Sequence, residues 1–179
     1  MRNISYLTDS YNEKIDEINK FGAPLNFVFI TDQHNRLSEF WAKEKNVEDI
    51  AEFEYAADAI RSIQYILDRC PNINMVISGG DIGNDYHYDP KKIRETHDEV
   101  MNALYSLSVP VYTCIGNHDD ALSNCTCKGW DNRKYVILPD EMHRRCMKYN
   151  PMENNYYYID LNKHNFRFVF LDVSDGDYR

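Results

Sequence analysis

An apolar run that ends in polar residues, Asn-Phe-Val-Phe-Ile-Thr-Asp-Gln-His, spans residues 26–34. Four apolar or aromatic residues run without a break from Phe27 to Ile30, and the run ends abruptly in Asp32 and His34. A short run of this kind is typical of a strand that is covered on both faces, as in an α/β sheet. Ligands in open α/β sheets bind beyond the carboxyl ends of the strands, so we expect chemistry at the residues that follow this strand.

The rest of the chain alternates between helical patterns and apolar runs. The predicted elements are, in chain order, a helix over residues 4–20, a strand over 26–31, a helix over 47–69, a strand over 73–78, a helix over 90–107, a strand over 110–115, a helix over 139–147 and a hairpin with strands over 156–161 and 166–173. This order predicts a parallel βαβαβ-type sheet with right-handed crossovers. The last run, Phe166–Val173, is apolar enough to predict a central strand.

Composition narrows the class of protein. The chain has 179 residues, 43% of them hydrophobic, which suits one domain or a large domain cut short. Its formal net charge of -9 disfavours non-specific binding to nucleic acid or to an anionic membrane, but bound metal ions would still allow an anionic substrate. No run is long enough to span a membrane and no signal peptide is evident, so we expect a cytoplasmic protein whose five cysteines are reduced.

Polar side chains follow all three predicted parallel strands. The three motifs are Asp32-x-His34, Gly80-Asp81 and Gly116-Asn117-His118-Asp119. Because the carboxyl ends of parallel strands lie at one edge of a sheet, we expect these motifs to meet there. Each glycine lets the backbone turn sharply or approach a neighbour closely. Carboxylate, imidazole and amide oxygen are ligands that Mn, Fe and Zn ions accept, so the set predicts a metal site.

The residue types also suggest a reaction. Two metal ions about 3.5–4 Å apart can clamp the oxygens of an in-line displacement at phosphorus. Asp81 has the central position that a bridging carboxylate needs, and Asn117 can ligate through its carbonyl oxygen without adding negative charge. His118 can donate a proton to the leaving alkoxide, and Asp119 can orient His118 and hold it protonated.

In this order, the three motifs resemble the calcineurin-like metallophosphoesterase superfamily, with its D-x-H, G-D and G-N-H-D/E motifs. The resemblance covers Phe27 to about Val173 and includes the final hairpin. It implies the N-terminal portion of a four-layer αββα sandwich. It also implies hydrolysis of a phosphomonoester or phosphodiester at a dinuclear site that holds two divalent metal ions, Mn, Fe or Zn.

By this resemblance, Asp32 and His34 hold the first metal ion, Asp81 bridges the two ions and Asn117 holds the second. His118 is then the acid that contacts phosphate. The superfamily also supplies later metal-ligating histidines, including a G-H-x-H motif, which this sequence lacks. We therefore expect residues 1–25 to form a helical extension and residues 26–179 to form a metallophosphoesterase-like domain cut short at its C-terminus.

Two rival functions remain open at this stage. The first is a non-catalytic metallophosphoesterase-like domain that binds metal weakly or serves as a partner module. The second is an unrelated α/β binding protein without metal. If strands are missing, we further expect an apolar edge near Phe166–Val173 and self-association through it.

Several residues carry more than one interpretation. His87 is either a substitute ligand or substrate contact, or a histidine of a surface loop, the reading we favour. Phe40 and Trp41 either wall a substrate pocket or anchor their loop to the core. His97 is expected to be a packing residue of its helix with satisfied ring nitrogens, and Cys125-Thr126-Cys127 is expected to contain ordinary thiols.

Overall fold

Three parallel strands form the sheet that carries the predicted motifs. The computed structural model describes residues 5–36, 56–83, 89–121, 135–148 and 152–172. Strands β1 (Asn26–Ile30), β2 (Ile73–Ser78) and β3 (Val111–Thr113) lie in that order, so β2 is the middle strand. Both pairings are parallel, and Ser78 pairs with Ile30 on one side and with Thr113 on the other. This register places the three strand ends side by side, and the predicted α/β sheet is confirmed.

Helices precede, connect and follow these strands. They are α1 (Ser5–Phe21), α2 (Ala56–Leu67), α3 (Pro90–Leu104) and α4 (Pro139–Cys146). Helix α3 begins with proline in its first turn, and the side chain of Asp89 caps it by accepting the Lys91 N–H at 2.9 Å. All four helices were predicted within a few residues of these bounds, although the part of the second predicted helix before Ala56 lies outside the described residues.

The sheet is covered differently on its two faces. Buried residues from all four helices, including Ile15, Ile60, Ile93 and Met142, form one apolar cluster with Val76 of β2. On the opposite face, Met75 and Ile77 of β2 join a second cluster that contains Ile159 and Phe170. Successive residues of a strand point to opposite faces, so the middle strand contributes to both clusters.

The second face is covered by the predicted hairpin. Its strands are β4 (Tyr157–Leu161) and β5 (Phe166–Phe170), which pair antiparallel. The Tyr157 hydroxyl accepts the N–H of Thr113 at 3.0 Å and donates to its carbonyl at 2.8 Å, so it fastens the hairpin to the last residue of β3. Burial raises the pKa of this tyrosine above its ordinary value.

Three expectations, two about the burial of strands and one about the hydrogen bonds of His97, were wrong. Strand β1 is not covered on both faces, because Phe27 and Phe29 are 44% and 59% exposed. Phe27 meets one hairpin ring, that of Phe168, edge-on at 5.4 Å between ring centroids. Strand β5 is not central: within the described residues it pairs only with β4, and its Val169 is 62% exposed. His97 is buried as predicted, but neither ring nitrogen has a hydrogen-bond partner among the residues that the structure describes.

Two further sequence expectations can be compared with the structure. Cys70, Cys114 and Cys146 are free thiols, as predicted, whereas Cys125 and Cys127 lie outside the described residues. Among the described helices, none has the length and apolar character needed to cross a bilayer. The cytoplasmic location stays a prediction.

Candidate metal centre

Three loops meet at the carboxyl edge of the sheet. They follow β1, β2 and β3 and comprise residues 31–36, 79–83 and 114–119. Three backbone hydrogen bonds join the first loop to the second: Asp32 N–H donates to Gly80 O (3.0 Å), His34 N–H to Asp81 O (2.9 Å) and Asn35 N–H to Ile82 O (3.3 Å). The first two loops therefore continue the pairing of β1 with β2 beyond the strands themselves.

Asp32, His34 and Asp81 converge where these loops meet. One ligand atom from each lies within 4.8 Å of those from the other two. His34 Nε2 is 3.8 Å from Asp32 Oδ1 and 3.9 Å from Asp81 Oδ2, and these distances are too long for direct hydrogen bonds. Two carboxylates and an imidazole around one point form a donor set that suits Mn, Fe or Zn, so these residues fit a metal ion. The predicted convergence of the first two motifs is confirmed.

The backbone adopts an unusual conformation at the three candidate metal ligands. Asp32, His34 and Asp81 have φ values of 57°, 40° and 54°, in the left-handed region that residues with a side chain rarely adopt. In the first loop every second residue has a positive φ, since Arg36 follows Asp32 and His34 with a φ of 62°. Strained residues of this kind persist only where surrounding contacts hold them, and they cluster at functional sites.

Two glycines bring the second and third loops into close contact. A Cβ atom on Gly80, whose φ is 98°, would collide with the backbone of Gly116, and one on Gly116 would collide with Asp81. Only glycine can therefore occupy either position without displacing the loops. The predicted role of these glycines in a close approach is confirmed.

Asp81 links the first motif to the third. Its Oδ2 faces His34, while its Oδ1 accepts the backbone N–H of His118 at 3.0 Å. The carboxylate thus lies between the D-x-H loop and the G-N-H-D turn, which is the position expected of a bridging ligand. Bridging itself stays a prediction.

Asp119 makes contacts that differ from the predicted ones. Its buried carboxylate accepts four backbone N–H groups: those of Asp81 (3.0 Å), Ile82 (2.7 Å), Gly83 (3.3 Å) and Gly116 (2.8 Å). Both oxygens are thereby committed to the loops, whereas the sequence analysis had Asp119 orient the His118 ring. Burial raises the pKa of Asp119 to about 6, although the amide hydrogen bonds oppose this rise. A catalytic role for Asp119 stays a prediction.

His118 and Asn117 lie in the turn after β3. The His118 ring is half-buried and meets the His34 ring edge-on, with 5.0 Å between ring centroids. Asn117 is exposed to solvent in the same turn. A second metal position at Asn117 and an acid role for His118 stay predictions. His87, Phe40 and Trp41 lie outside the described residues.

The sequence analysis missed a set of contacts behind the first loop. Asn35, which is buried, donates its amide to Thr96 O and to Glu99 Oε2, both at 2.9 Å. Arg36 donates to both oxygens of Glu99, at 2.7 and 2.8 Å. Glu99 follows Arg36 by more than sixty residues, and no local pattern marks the pair, so only the folded arrangement shows it.

The sheet and its loops define a class of protein, and comparison with known families defines it further. An α/β sheet whose strand ends gather Asp, His and Asp around one point has its candidate metal ligands where open α/β sheets bind their ligands. The family model for calcineurin-like phosphoesterases matches residues 25–177, and the chain belongs to this family. No curated protein and no solved structure matches the chain.

Proposed function

We propose that this protein is a metal-dependent phosphoesterase that hydrolyses a phosphomonoester or phosphodiester at a dinuclear metal site. The observation that carries the proposal is the convergence of Asp32, His34 and Asp81 at the carboxyl edge of the sheet in a chain of this family. The family supplies the class of substrate, a phosphate ester.

Membership of this family suggests how the chain's residues would hold the metal ions. Asp32 and His34 would hold the first ion, Asp81 would serve both ions, and Asn117 would add its amide oxygen to the second. When bound, divalent ions such as Mn, Fe or Zn supply Lewis-acid polarisation of phosphoryl oxygens and activation of water. The chain carries a formal charge of -9, so attraction of a phosphate ester depends on these cations rather than on the field of the protein.

His118 is the residue proposed to move a proton. Its backbone is fixed by the bond from its N–H to Asp81, and its ring lies beside His34 at the edge of the cluster. An imidazole at this edge of the cluster would protonate the oxygen that leaves phosphorus as the alcohol departs. The Asp119 carboxylate holds this turn against the second loop by accepting the backbone N–H groups of Asp81, Ile82 and Gly83.

An assay of a generic aryl phosphate with and without added Mn²⁺ tests the proposal. We expect turnover by the wild-type chain only with the metal. We expect a loss of about a hundredfold or more in Asp81→Asn and in His118→Ala, because Asp81 would hold the metal ions and His118 would protonate the leaving oxygen. Asp16→Asn on the exposed side of α1 and His164→Ala in the hairpin turn are matched controls and should retain wild-type turnover.

The outcomes separate the proposal from its rivals. Turnover that is unchanged in Asp81→Asn or His118→Ala would contradict the assignment of the site. A chain that binds Mn²⁺ without turning over substrate would instead be a non-catalytic metal-binding or partner-binding module. A chain that retains no metal, with Asp32→Ala indistinguishable from wild type, would be an α/β binding protein of another kind.

A further inference from the structure

The loop that carries Asp32 and His34 is fastened at both ends. Its first end is continuous with β1, and its middle is joined to the second loop by backbone hydrogen bonds. At its far end, Asn35 donates to the carbonyl of Thr96 on α3, and the Glu99 side chain of the same helix accepts from the Asn35 amide and from two nitrogens of the Arg36 guanidinium. We call Asn35, Arg36 and Glu99 the Glu99 clamp.

The clamp has the geometry of a fixed attachment rather than of a mobile surface pair. The Arg36 guanidinium reaches both carboxylate oxygens, an arrangement that fixes orientation as well as distance. The side chains of Arg36 and Glu99 are both about two-thirds shielded from solvent, at 33% and 40% exposure. The hydrogen bond from Arg36 also holds the pKa of Glu99 below its ordinary value, so the carboxylate stays ionised at neutral pH.

The Glu99 clamp acts on the first loop, whose strained backbone conformation needs surrounding contacts to hold it. Asp32, His34 and Arg36 alternate through the left-handed region, with φ values of 57°, 40° and 62°. A residue with a side chain leaves this region unless its surroundings hold it there. The Glu99 clamp includes the last of these strained residues and the buried neighbour of His34, so its contacts oppose that relaxation.

We propose that Glu99 is a positioning residue for the metal centre, which holds the loop of Asp32 and His34 in its strained conformation through Asn35 and Arg36. The inference rests on the proposed metal-binding function. Glu99 contacts neither substrate nor metal in this account, and its effect on the centre passes entirely through the loop. Removing it should free the two ligands to separate from Asp81.

The test is the affinity of the full chain for Mn²⁺, measured by titration calorimetry, together with thermal unfolding of the metal-free protein. In Glu99→Ala we expect Mn²⁺ binding to weaken about ten- to a hundredfold, the range typical of residues that orient metal ligands. Glu99→Gln keeps one oxygen for Asn35 but loses the charge, and should weaken binding less. We expect the metal-free unfolding temperature to stay close to that of the control, because relief of backbone strain offsets the lost contacts.

Glu95→Ala is the matched control, since it removes a glutamate one turn earlier on the same helix. Glu95 is exposed and pairs with Lys91 and Lys92 on the surface. It should bind Mn²⁺ as wild type does. Wild-type affinity in both Glu99 variants would overturn the inference. So would a fall in metal-free stability that accounts for the whole loss, because Glu99 would then be a general structural residue.

A separate variant distinguishes failure of this inference from failure of the proposed function. If wild type binds Mn²⁺ and His34→Ala abolishes that binding, the proposed metal centre is supported. The Glu99 variants then test the Glu99 clamp alone. If wild type binds no Mn²⁺, or if His34→Ala binds it equally well, the proposed metal centre fails and the clamp fails with it.

Discussion

Asp119 lies behind the candidate metal centre, where its carboxylate holds two loops together. It accepts three backbone N–H groups from the second loop and one from the third. The second loop contains Asp81 in the left-handed region, a conformation that costs about 1–3 kcal/mol at a residue with a side chain. Hydrogen bonds to a buried carboxylate are strong enough to offset such a cost. The spacing between Asp81 and His118 thus depends on a residue behind both.

We expect Asp119→Asn to destabilise the fold and to disturb the site. The amide group replaces one acceptor oxygen by a donor, which then faces backbone N–H groups without a partner. Leaving buried donors unsatisfied costs about 1–3 kcal/mol, so unfolding in urea at neutral pH should require that much less free energy. Asp16→Asn on exposed α1 is the control. If the two variants were equally stable, Asp119 would not hold the loops.

At this scale the sequence predicted where the ligands lie but not what supports them. Asp32, His34 and Asp81 could be predicted together because each directly follows a strand, and parallel strands end at one edge. Most hydrogen-bond partners of Asp119 and Glu99 lie 36 or more residues away in the sequence. Several of these partners are backbone N–H groups, which carry no sequence signal. Such contacts depend on the fold and cannot be derived from spacing.

Helix α3 supports the candidate metal centre through several residues along its length. Its inward face carries buried residues at helical spacing, including Ile93, His97 and Val100, while Glu99 reaches the first loop. His97 packs against the second loop at Gly83, where an added Cβ would lie only 3.1 Å from that of His97. The ring is buried, and neither nitrogen finds a hydrogen-bond partner in the described part of the chain. An imidazole in this position serves packing only in its neutral form.

This burial predicts a pH dependence of stability. Burial, reinforced by Arg145, lowers the pKa of His97 from 6.5 to about 4, although Asp98 and Glu141 oppose the shift. As the pH falls through 6.5, His97 is protonated in the unfolded chain, whereas in the folded chain it is protonated only at about pH 4. His97 should therefore cost the fold roughly 3 kcal/mol of stability by pH 4, at about 1.36 kcal/mol for each pKa unit.

Urea unfolding of His97→Leu and wild type at several pH values between 7 and 4 measures this effect. The variant should lose less stability than wild type on acidification, because leucine takes up no proton. His164→Leu, in the hairpin turn, is the control and should follow wild type. Parallel curves for wild type and His97→Leu would show that His97 does not contribute to acid sensitivity.

Element types were predictable from the sequence, whereas the covered faces of the strands were not. Helices and strands follow from apolar periodicity and from signals such as Pro90 at the start of α3. The run Phe27–Ile30 suggested burial on both faces, yet Phe27 and Phe29 are exposed. An apolar run shows that a strand can be buried, but the elements packed against it decide which face is covered.

At the scale of the whole molecule, the described residues form a helical layer, a parallel sheet and a hairpin. Helices cover one face of the sheet, and the hairpin covers part of the other. Large apolar side chains remain exposed on β1 and the hairpin: Phe27, Phe29, Tyr156, Tyr158, Phe166, Val169 and Leu171. Where exposed apolar side chains form a continuous patch, that patch marks an interaction surface or an aggregation hazard.

We expect this surface to cause self-association, as the sequence analysis predicted for Phe166–Val173. An apolar strand with unpaired backbone groups can pair with a second copy, and natural edge strands prevent such pairing with charges, lysine above all. Val169→Lys places that charge on β5, so it should shift the chain towards the mass of one copy, 21.2 kDa. Ser10→Lys adds the same charge on exposed α1 and should leave association unchanged. Light scattering during size exclusion, over a range of protein concentrations, measures the mass. A wild-type chain that remains a monomer throughout would contradict the predicted self-association through the exposed apolar strands.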